Sequence, residues 1–255
     1  MLLASDNGAS KPLIGAQLAE HGYRILETAN LEQTLVAAHD GVEAIVLDTG
    51  SSGINGWELL PQLRRVPPEA HTPIIVLSLD TQQNATETGR NGSGRSTNAK
   101  AQMSELIRVL GGGGEMARIL IVEESEQMAL LVGEAFSGEN TTVRMARNHD
   151  QARDECLAFH PHLLVFNVAL PNNEALRLVG WLRDRDVLTH LVLVAYSGRG
   201  LASSGAKSGM EPTTLLKRAR VQPEELEQLV LTILRGSRHI ESAAEVAGVS
   251  GVTSA

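Results

Sequence analysis

The feature that most constrains this chain is an internal repeat. Four landmarks in the first half recur in the second half at a nearly constant offset of 117 to 119 residues. The pairs are Ser5-Asp6 and Glu123-Glu124 (118 apart), Asp48 and Asn167 (119), Ser78 and Ala195 (117), and Lys100 and Lys217 (117). So steady an offset indicates tandem duplication of one domain. The 255 residues then form two domains of ordinary size.

Short apolar runs alternate with segments of helical periodicity in both halves, which predicts βαβ units and parallel strands. The predicted strands are residues 2–4, 23–26, 44–47 and 74–77, then 119–122, 142–145, 163–166 and 191–194. The run "GGGGEMA" at 111–117 is typical of a linker. We therefore expect one domain at 1–110, a Gly-rich linker at 111–117, a second domain at 118–236 and a disordered tail at 237–255.

Composition excludes several classes of function. The net charge is -8 and the basic residues form no cluster, so the sequence predicts no nucleic-acid surface. The single cysteine, Cys156, excludes an intramolecular disulfide and a cysteine-based zinc site. The apolar runs fall short of the roughly 18 residues needed to cross a bilayer, and the start of the chain lacks a signal-peptide pattern. We expect a cytoplasmic protein with no membrane insertion.

The order of landmarks resembles the receiver domain of bacterial two-component response regulators. In both, an apolar strand ends in acids, an Asp ends the third strand, a small hydroxyl ends the fourth and a Lys ends the fifth. The stretches that carry the resemblance are "LDTGSSGINGWELLPQLRR" with "TPIIVLSLD", "ILIVEESEQMALLVGEAF" and "LLKRARVQPEELEQLVLTIL". The resemblance implies an α/β fold of two flavodoxin-like, doubly wound parallel five-stranded sheets in tandem, with strand order 2-1-3-4-5.

The same resemblance implies a site at the carboxyl ends of the first domain's strands. Asp48 would be the phosphoacceptor, and Asp6 would bind Mg²⁺ together with Asp48 and the backbone carbonyl of Gly50. Ser78 and Lys100 would contact the phosphoryl group. Oxygen ligands suit Mg²⁺, and a carboxylate can carry a phosphoryl group as an acyl phosphate. The implied partners are a histidine kinase or phosphotransfer protein and a downstream protein.

The first half departs from the family pattern at two places. Ser5 stands where the family has an additional acid, so we expect weak Mg²⁺ binding. The stretch 81–100 has no apolar periodicity where a fourth helix and fifth strand are expected, and Lys100 is followed by Ala101 instead of Pro. The surface that reports phosphorylation in the family should therefore be short, mobile or remodelled.

The second half departs at the site itself. An amide is not a nucleophile for phosphoryl transfer, so Asn167 removes the acceptor, and Ala195 takes the hydroxyl position. Lys217 remains at the predicted end of the fifth strand, where an ion pair with Glu123 or Glu124 would hold the empty pocket in one state. Otherwise these two acids are solvated strand-end residues. We expect a pseudo-receiver that serves docking or dimerisation, with a homodimer as a further expectation.

Other interpretations of the Asp48 region are weaker. Asp48-Thr49-Gly50 matches the signature of pepsin-like proteases, but those enzymes need two such motifs, and the repeat places Asn167 opposite. Gly50, Gly53 and Gly56 do not have the spacing of a dinucleotide fingerprint. Two hypotheses remain. The first is a non-enzymatic phosphoacceptor at Asp48, and the second is a phosphorylation-independent adaptor built from two degenerate receivers.

Overall fold

Eight short parallel strands form one continuous sheet in the computed structural model, which describes residues 1–5, 10–50, 56–64, 72–79, 109–110, 116–138, 140–185, 187–203 and 209–234. The strands are β1 (Leu2–Ala4), β2 (Leu26–Thr28), β3 (Ile45–Asp48), β4 (Ile74–Leu77), β5 (Ala117–Val122), β6 (Thr141–Ala146), β7 (Leu163–Asn167) and β8 (Val192–Tyr196). Their order is β2-β1-β3-β4-β8-β7-β5-β6. Each half thus contributes strands in the order 2-1-3-4, and the two fourth strands pair with each other.

Nine α-helices with described bounds cover the two faces of this sheet, and residues 109–110 are helical as well. They are α1 (Ser10–Glu20), α2 (Leu31–His39), α3 (Gly56–Leu63), α4 (Glu126–Phe136), α5 (His149–Phe159), α6 (Glu174–Arg183), α7 (Gly198–Ser203), α8 (Pro212–Arg218) and α9 (Pro223–Leu234). One core contains buried residues of α1, α5, α6 and α9, and the other contains those of α2, α3, α4, α7 and α8. Equivalent helices of the two halves, such as α1 and α4, therefore lie on opposite faces. A pseudo-two-fold axis parallel to the strands therefore relates the two halves.

The repeat is also visible in the helix caps. Asn30 precedes α2 and accepts a hydrogen bond from the Gln33 amide, while Asn148 precedes α5 and accepts one from the Gln151 amide. An asparagine at this position satisfies a backbone donor that the first turn of a helix leaves without a partner. The same local signal, 118 residues apart, starts the same helix in both halves.

The predicted pair of five-stranded sheets is wrong. The structure has one sheet, because β4 pairs in parallel with β8 along Ile74–Val76 and Val192–Val194. These residues are fully buried, so each half covers an apolar strand edge of the other. Beyond these strands, Leu79 of the first half and Val221 of the second form an isolated parallel bridge.

Two further predictions need correction. Lys217 does not end a strand, because 212–218 form helix α8, which begins at a proline well suited to a first helical turn. The second strand starts at Leu26 and not at residue 23. Gly22 has φ of +77°, and the Tyr23 amide donates to the Leu18 carbonyl, which is the left-handed cap that ends α1. Tyr23 therefore belongs to the helix end.

The other predicted strands match in position, and their boundaries differ from the predicted ones by at most two residues. β5 begins at Ala117, inside the predicted linker. Residues 111–115, the stretch 81–100 and the predicted tail at 237–255 lie outside the described residues. Within the described ranges, no helix has both the length and the apolar character required to cross a membrane.

Candidate functional site

Asp48 ends β3, and its carboxylate is held from several sides at the carboxyl end of the sheet. The residue is only 2% exposed. Its Oδ1 accepts hydrogen bonds from the backbone amides of Gly50 (2.9 Å) and Leu79 (3.1 Å). Its Oδ2 accepts one from the Ser5 hydroxyl at 3.1 Å. Backbone donors fix one oxygen, whereas the other faces a hydroxyl that can rotate.

Ser78 follows β4 and brings a second oxygen to the same place. The residue is fully buried, and its Oγ has no hydrogen-bond partner among the described residues. A Cβ placed on Gly50 would lie 2.6 Å from this Oγ and 3.1 Å from Asp48 Oδ1. Asp48, Gly50 and Ser78 therefore converge, and a side chain at position 50 would collide with both oxygens.

The remaining residues predicted for the first site lie outside the described chain. Asp6 and Lys100 fall in the ranges 6–9 and 80–108, so the structure gives neither a position. Ser5 is placed, and it occupies the point where β1 ends beside Asp48. Within the described ranges, no three His, Cys, Asp or Glu side chains lie close enough together to bind a metal ion.

The equivalent pocket of the second half is closed by its own side chains. Glu123, 4% exposed, accepts hydrogen bonds at Oε2 from Asn167 Nδ2 (3.0 Å) and from the Tyr196 hydroxyl (2.7 Å). Its Oε1 accepts one from the Ser125 amide at 3.1 Å. Asn167 Oδ1 in turn accepts from the amides of Ala169 (3.0 Å) and Gly198 (2.9 Å). In the first pocket the residue after the first strand, Ser5, donates to the carboxylate at the end of the third strand, Asp48. In the second pocket the direction is reversed, because Asn167 at the end of the third strand donates to the Glu123 carboxylate after the first strand.

Tyr196 is a site residue that the sequence analysis missed. Burial, and secondarily the neighbouring Glu123 carboxylate, raises the pKa of its hydroxyl well above the usual value of 10. The hydroxyl therefore stays protonated and donates to Glu123. The signal lay in strand register, because Asn167 pairs directly with Tyr196 just as Asp48 pairs with Leu77.

The same register changes the predicted equivalence of the two hydroxyl positions. Leu77 corresponds to Tyr196, so Ser78 corresponds to Ser197 and not to Ala195. Ala195 lies inside β8, pairs with Phe166 and is fully buried in the core. The second half therefore retains a serine after its fourth strand. Its Oγ donates to Glu225 Oε1 at 3.3 Å, whereas Ser78 Oγ faces the Asp48 pocket.

Lys217 and Glu124 do not join the second pocket. Glu124 is exposed, and Lys217 lies on the exposed side of α8. The described ion pairs do not include one between Lys217 and either Glu123 or Glu124. The Glu123 carboxylate is instead satisfied by neutral donors, so the pocket is held closed by hydrogen bonds.

Comparison with known proteins gives partial matches. A stretch of 103 residues, 39% of this chain, is 31% identical to the sensory/regulatory protein RpfC of Xanthomonas campestris pv. campestris and covers 14% of it. A stretch of 152 residues, 58% of this chain, is 28% identical to the transcriptional regulatory protein TrcR of Mycobacterium tuberculosis and covers 57% of it. The chain thus spans less than two thirds of either relative. No family model matches the chain.

Two solved structures align with the chain at low similarity. The chemotaxis response regulator CheY4 of Vibrio cholerae matches 49% of this chain and 98% of its own, with 15% identity and a TM-score of 0.30. The response regulator PhyR from Brucella abortus matches 84% of this chain and 86% of its own, with 17% identity and a TM-score of 0.30.

Proposed function

Because the chain consists of response-regulator receiver-like domains, we propose that Asp48 accepts a phosphoryl group in the first half and that the second half is a docking or dimerisation module. The observation that carries the proposal is the convergence of the Asp48 carboxylate, Gly50 and the buried Ser78 hydroxyl, which lacks a described partner. A buried hydroxyl without a partner is costly, so its presence beside a carboxylate supports a ligand that it would bind.

The two carboxylate oxygens of Asp48 have different tasks in this proposal. Oδ1, fixed by the Gly50 and Leu79 amides, orients the group, and Oδ2 is the nucleophile. Oδ2 forms a bond to the phosphorus of the donor while the bond from phosphorus to the leaving group breaks, and the leaving group keeps that electron pair. The Ser5 hydroxyl rotates away from Oδ2, and the Ser78 hydroxyl donates to a phosphoryl oxygen.

The residues present suit a hard divalent cation. Asp48 and the Gly50 carbonyl supply oxygen atoms, and Asp6 would add a second carboxylate. Mg²⁺ bound by these three residues would offset the negative charge that builds up as a phosphoryl group approaches a carboxylate. Ser5 brings no charge to this set, so we propose that the ion is bound weakly and that phosphorylation needs millimolar Mg²⁺.

We propose that the phosphoryl donor is a histidine kinase or a phosphotransfer protein and that the output passes to a downstream protein. The domain limits are those of the repeat, 1–110 for the acceptor half and 118–236 for the second half. The second pocket supports a non-acceptor role for the second half. The nitrogen and the oxygen of the Asn167 side-chain amide both form hydrogen bonds, and so do both carboxylate oxygens of Glu123.

A second candidate function is an adaptor that is never phosphorylated. The observation that favours it is the Ser5 hydroxyl, which donates to Asp48 Oδ2 and so satisfies the oxygen needed for attack. In an adaptor both pockets serve only to hold the strand ends together. Such a protein has no use for a cation at Asp48.

Intact-mass spectrometry after incubation with acetyl phosphate and Mg²⁺ separates the two functions. The phosphoacceptor hypothesis expects wild-type protein to gain one phosphoryl group that is labile at alkaline pH, and Asp48→Asn to gain none. Asn167→Ser is the matched control, because it changes the equivalent position of the other half and should still be modified. No gain in folded wild-type protein at high Mg²⁺ concentration would refute the acceptor and leave the adaptor.

A further inference from the structure

A short segment of the second half lies between the two pockets. The Ser197 amide donates to the Ala219 carbonyl at 2.9 Å, and the Val221 amide donates to the Ser78 carbonyl at 2.8 Å. Leu79 and Val221 form a parallel bridge, and both Ala219 and Val221 are fully buried. The bridging segment, defined as 219–222, therefore touches the end of β4 on one side and the end of β8 on the other.

A carboxylate at the start of α9 holds the bridging segment in place. Glu225 Oε2 accepts a hydrogen bond from the Gln222 amide at 3.0 Å. Its Oε1 accepts one from the Ser197 hydroxyl at 3.3 Å. Glu225 thus ties the segment to the residue that corresponds to Ser78 in the second half.

The residues of the first half that the bridging segment contacts, Ser78 and Leu79, also line the Asp48 pocket. Leu79, which bridges to Val221, donates its amide to Asp48 Oδ1 at 3.1 Å, and Ser78 brings its hydroxyl beside the same carboxylate. The backbone of Ser78 and Leu79 is therefore held by Asp48 on one side and by the bridging segment on the other. A shift of the segment would change the direction of both donors.

We propose that Val221 and Glu225 of the second half are positioning residues for the reaction at Asp48, so that the second half completes the site of the first. This inference rests on the proposed phosphoacceptor function for its chemical consequence. The mechanical link is independent of that function, because it consists of described hydrogen bonds, of which the one from the Val221 amide to the Ser78 carbonyl joins the two halves. The second half then has a task inside the molecule as well as any docking role.

Glu225→Ala tests the link without altering any residue that contacts Asp48. Glu224→Ala is the matched control, because Glu224 is exposed, lies in the same first turn and carries the same charge. Ser197→Ala is a second variant that removes the same hydrogen bond from the opposite side. The first measurement is hydrogen exchange of the Leu79 amide by NMR, with the Ile75 amide of β4 as the reference for global opening.

We expect Leu79 exchange, relative to Ile75, to accelerate on the order of tenfold in Glu225→Ala and in Ser197→Ala and to stay unchanged in Glu224→Ala. The second measurement is the rate of phosphoryl gain from acetyl phosphate at saturating Mg²⁺. It should fall by a similar factor in the same two variants. A role confined to overall stability would move Leu79 and Ile75 together and leave the rate of the folded protein unchanged.

The outcomes are separable. Leu79 exchange equal in Glu225→Ala and Glu224→Ala would overturn the link. Faster Leu79 exchange with an unaltered phosphorylation rate would overturn the positioning role at Asp48 and leave the link. If wild-type protein gains no phosphoryl group while Leu79 still responds to Glu225→Ala, the link between the halves stands and the phosphoacceptor function fails.

Discussion

Restoring a carboxylate at the acceptor position of the second half should destabilise the protein instead of creating a second acceptor. In Asn167→Asp the atom that now donates to Glu123 Oε2 at 3.0 Å becomes an oxygen. Glu123 and Asn167 are both buried, and Gly198 packs directly against the Asn167 amide. The introduced carboxylate therefore has no room to turn away from Glu123.

The size of the penalty follows from this distance. Two unit charges 3.0 Å apart repel by about 5 to 6 kcal/mol at an effective dielectric constant of about 20. Taking up a proton at pH 7.5 costs about 5 kcal/mol for a carboxyl group of ordinary pKa near 4, at about 1.4 kcal/mol per pH unit. After partial relaxation we expect Asn167→Asp to lower the free energy of unfolding by about 3 to 5 kcal/mol at pH 7.5, out of a total of about 5 to 15 kcal/mol.

The sign of the pH dependence follows from the proton shared by the two carboxylates. The folded variant binds this proton more tightly than the unfolded chain, so its pKa is raised on folding. Stability is then fully present below pH of about 4 and is lost as pH rises toward the pKa of the folded pair. The difference between variant and wild type should therefore be smaller at pH 5 than at pH 7.5.

Urea unfolding followed by circular dichroism at the two pH values measures this penalty. Asn172→Asp is the matched control, because Asn172 is exposed and the chemical change is the same. The double variant Glu123→Gln/Asn167→Asp restores one amide and one carboxylate and should recover about half of the loss or more. The Tyr196 hydroxyl then faces an amide, so recovery stays incomplete. Equal stability of Asn167→Asp and wild type at pH 7.5 would refute the account of this pocket.

Two further predictions concern single hydroxyl groups. In wild-type protein the unfolding free energy should fall above pH 10 by up to about 1.4 kcal/mol per pH unit, because the tyrosine at position 196 ionises there only in the unfolded chain, and Tyr196→Phe should remove this fall. Urea unfolding between pH 8 and 11 measures how the unfolding free energy of each protein changes with pH. Equal slopes in the two proteins would contradict the raised pKa of Tyr196. Ser78→Ala should raise the unfolding free energy by about 1 kcal/mol, because it removes a buried hydroxyl without a described partner. The same variant should gain a phosphoryl group more slowly than wild type. A less stable variant would show that the Ser78 hydroxyl already has a hydrogen-bond partner.

Much of the architecture was predictable from local patterns. Apolar runs located the six inner strands of the sheet, because a parallel strand buried on both faces must be apolar along its length. The position of Asp48 at the end of a strand followed from the same pattern, and the convergence of Asp48, Gly50 and Ser78 agrees with the expectation from the family resemblance. Whether these residues act on phosphate stays a prediction.

The pairing of β4 with β8 was not predictable from these patterns. Both strands are fully apolar, so each would pair equally well with a fifth strand of its own half or with its counterpart. The equivalence of Ser78 and Ser197 was missed for a related reason. An offset counted along the sequence cannot reveal strand register, whereas backbone pairing of Asn167 with Tyr196 sets it directly. Tyr196 then enters the pocket because β8 extends one residue beyond Ala195.

The junction of β4 and β8 bears on how a duplicated gene of this kind can evolve. If each half had a complete sheet of its own, one copy could be lost, exchanged or fused to another protein without exposing the core of the other copy. Here the deletion of either half would expose a row of fully buried valines, isoleucines and leucines at the centre of the sheet. Each copy therefore depends on the other to cover the centre of the sheet. The two pockets still differ in their side chains, because Glu123 and Asn167 stand in one half where Ser5 and Asp48 stand in the other, and none of the four belongs to the β4–β8 pairing.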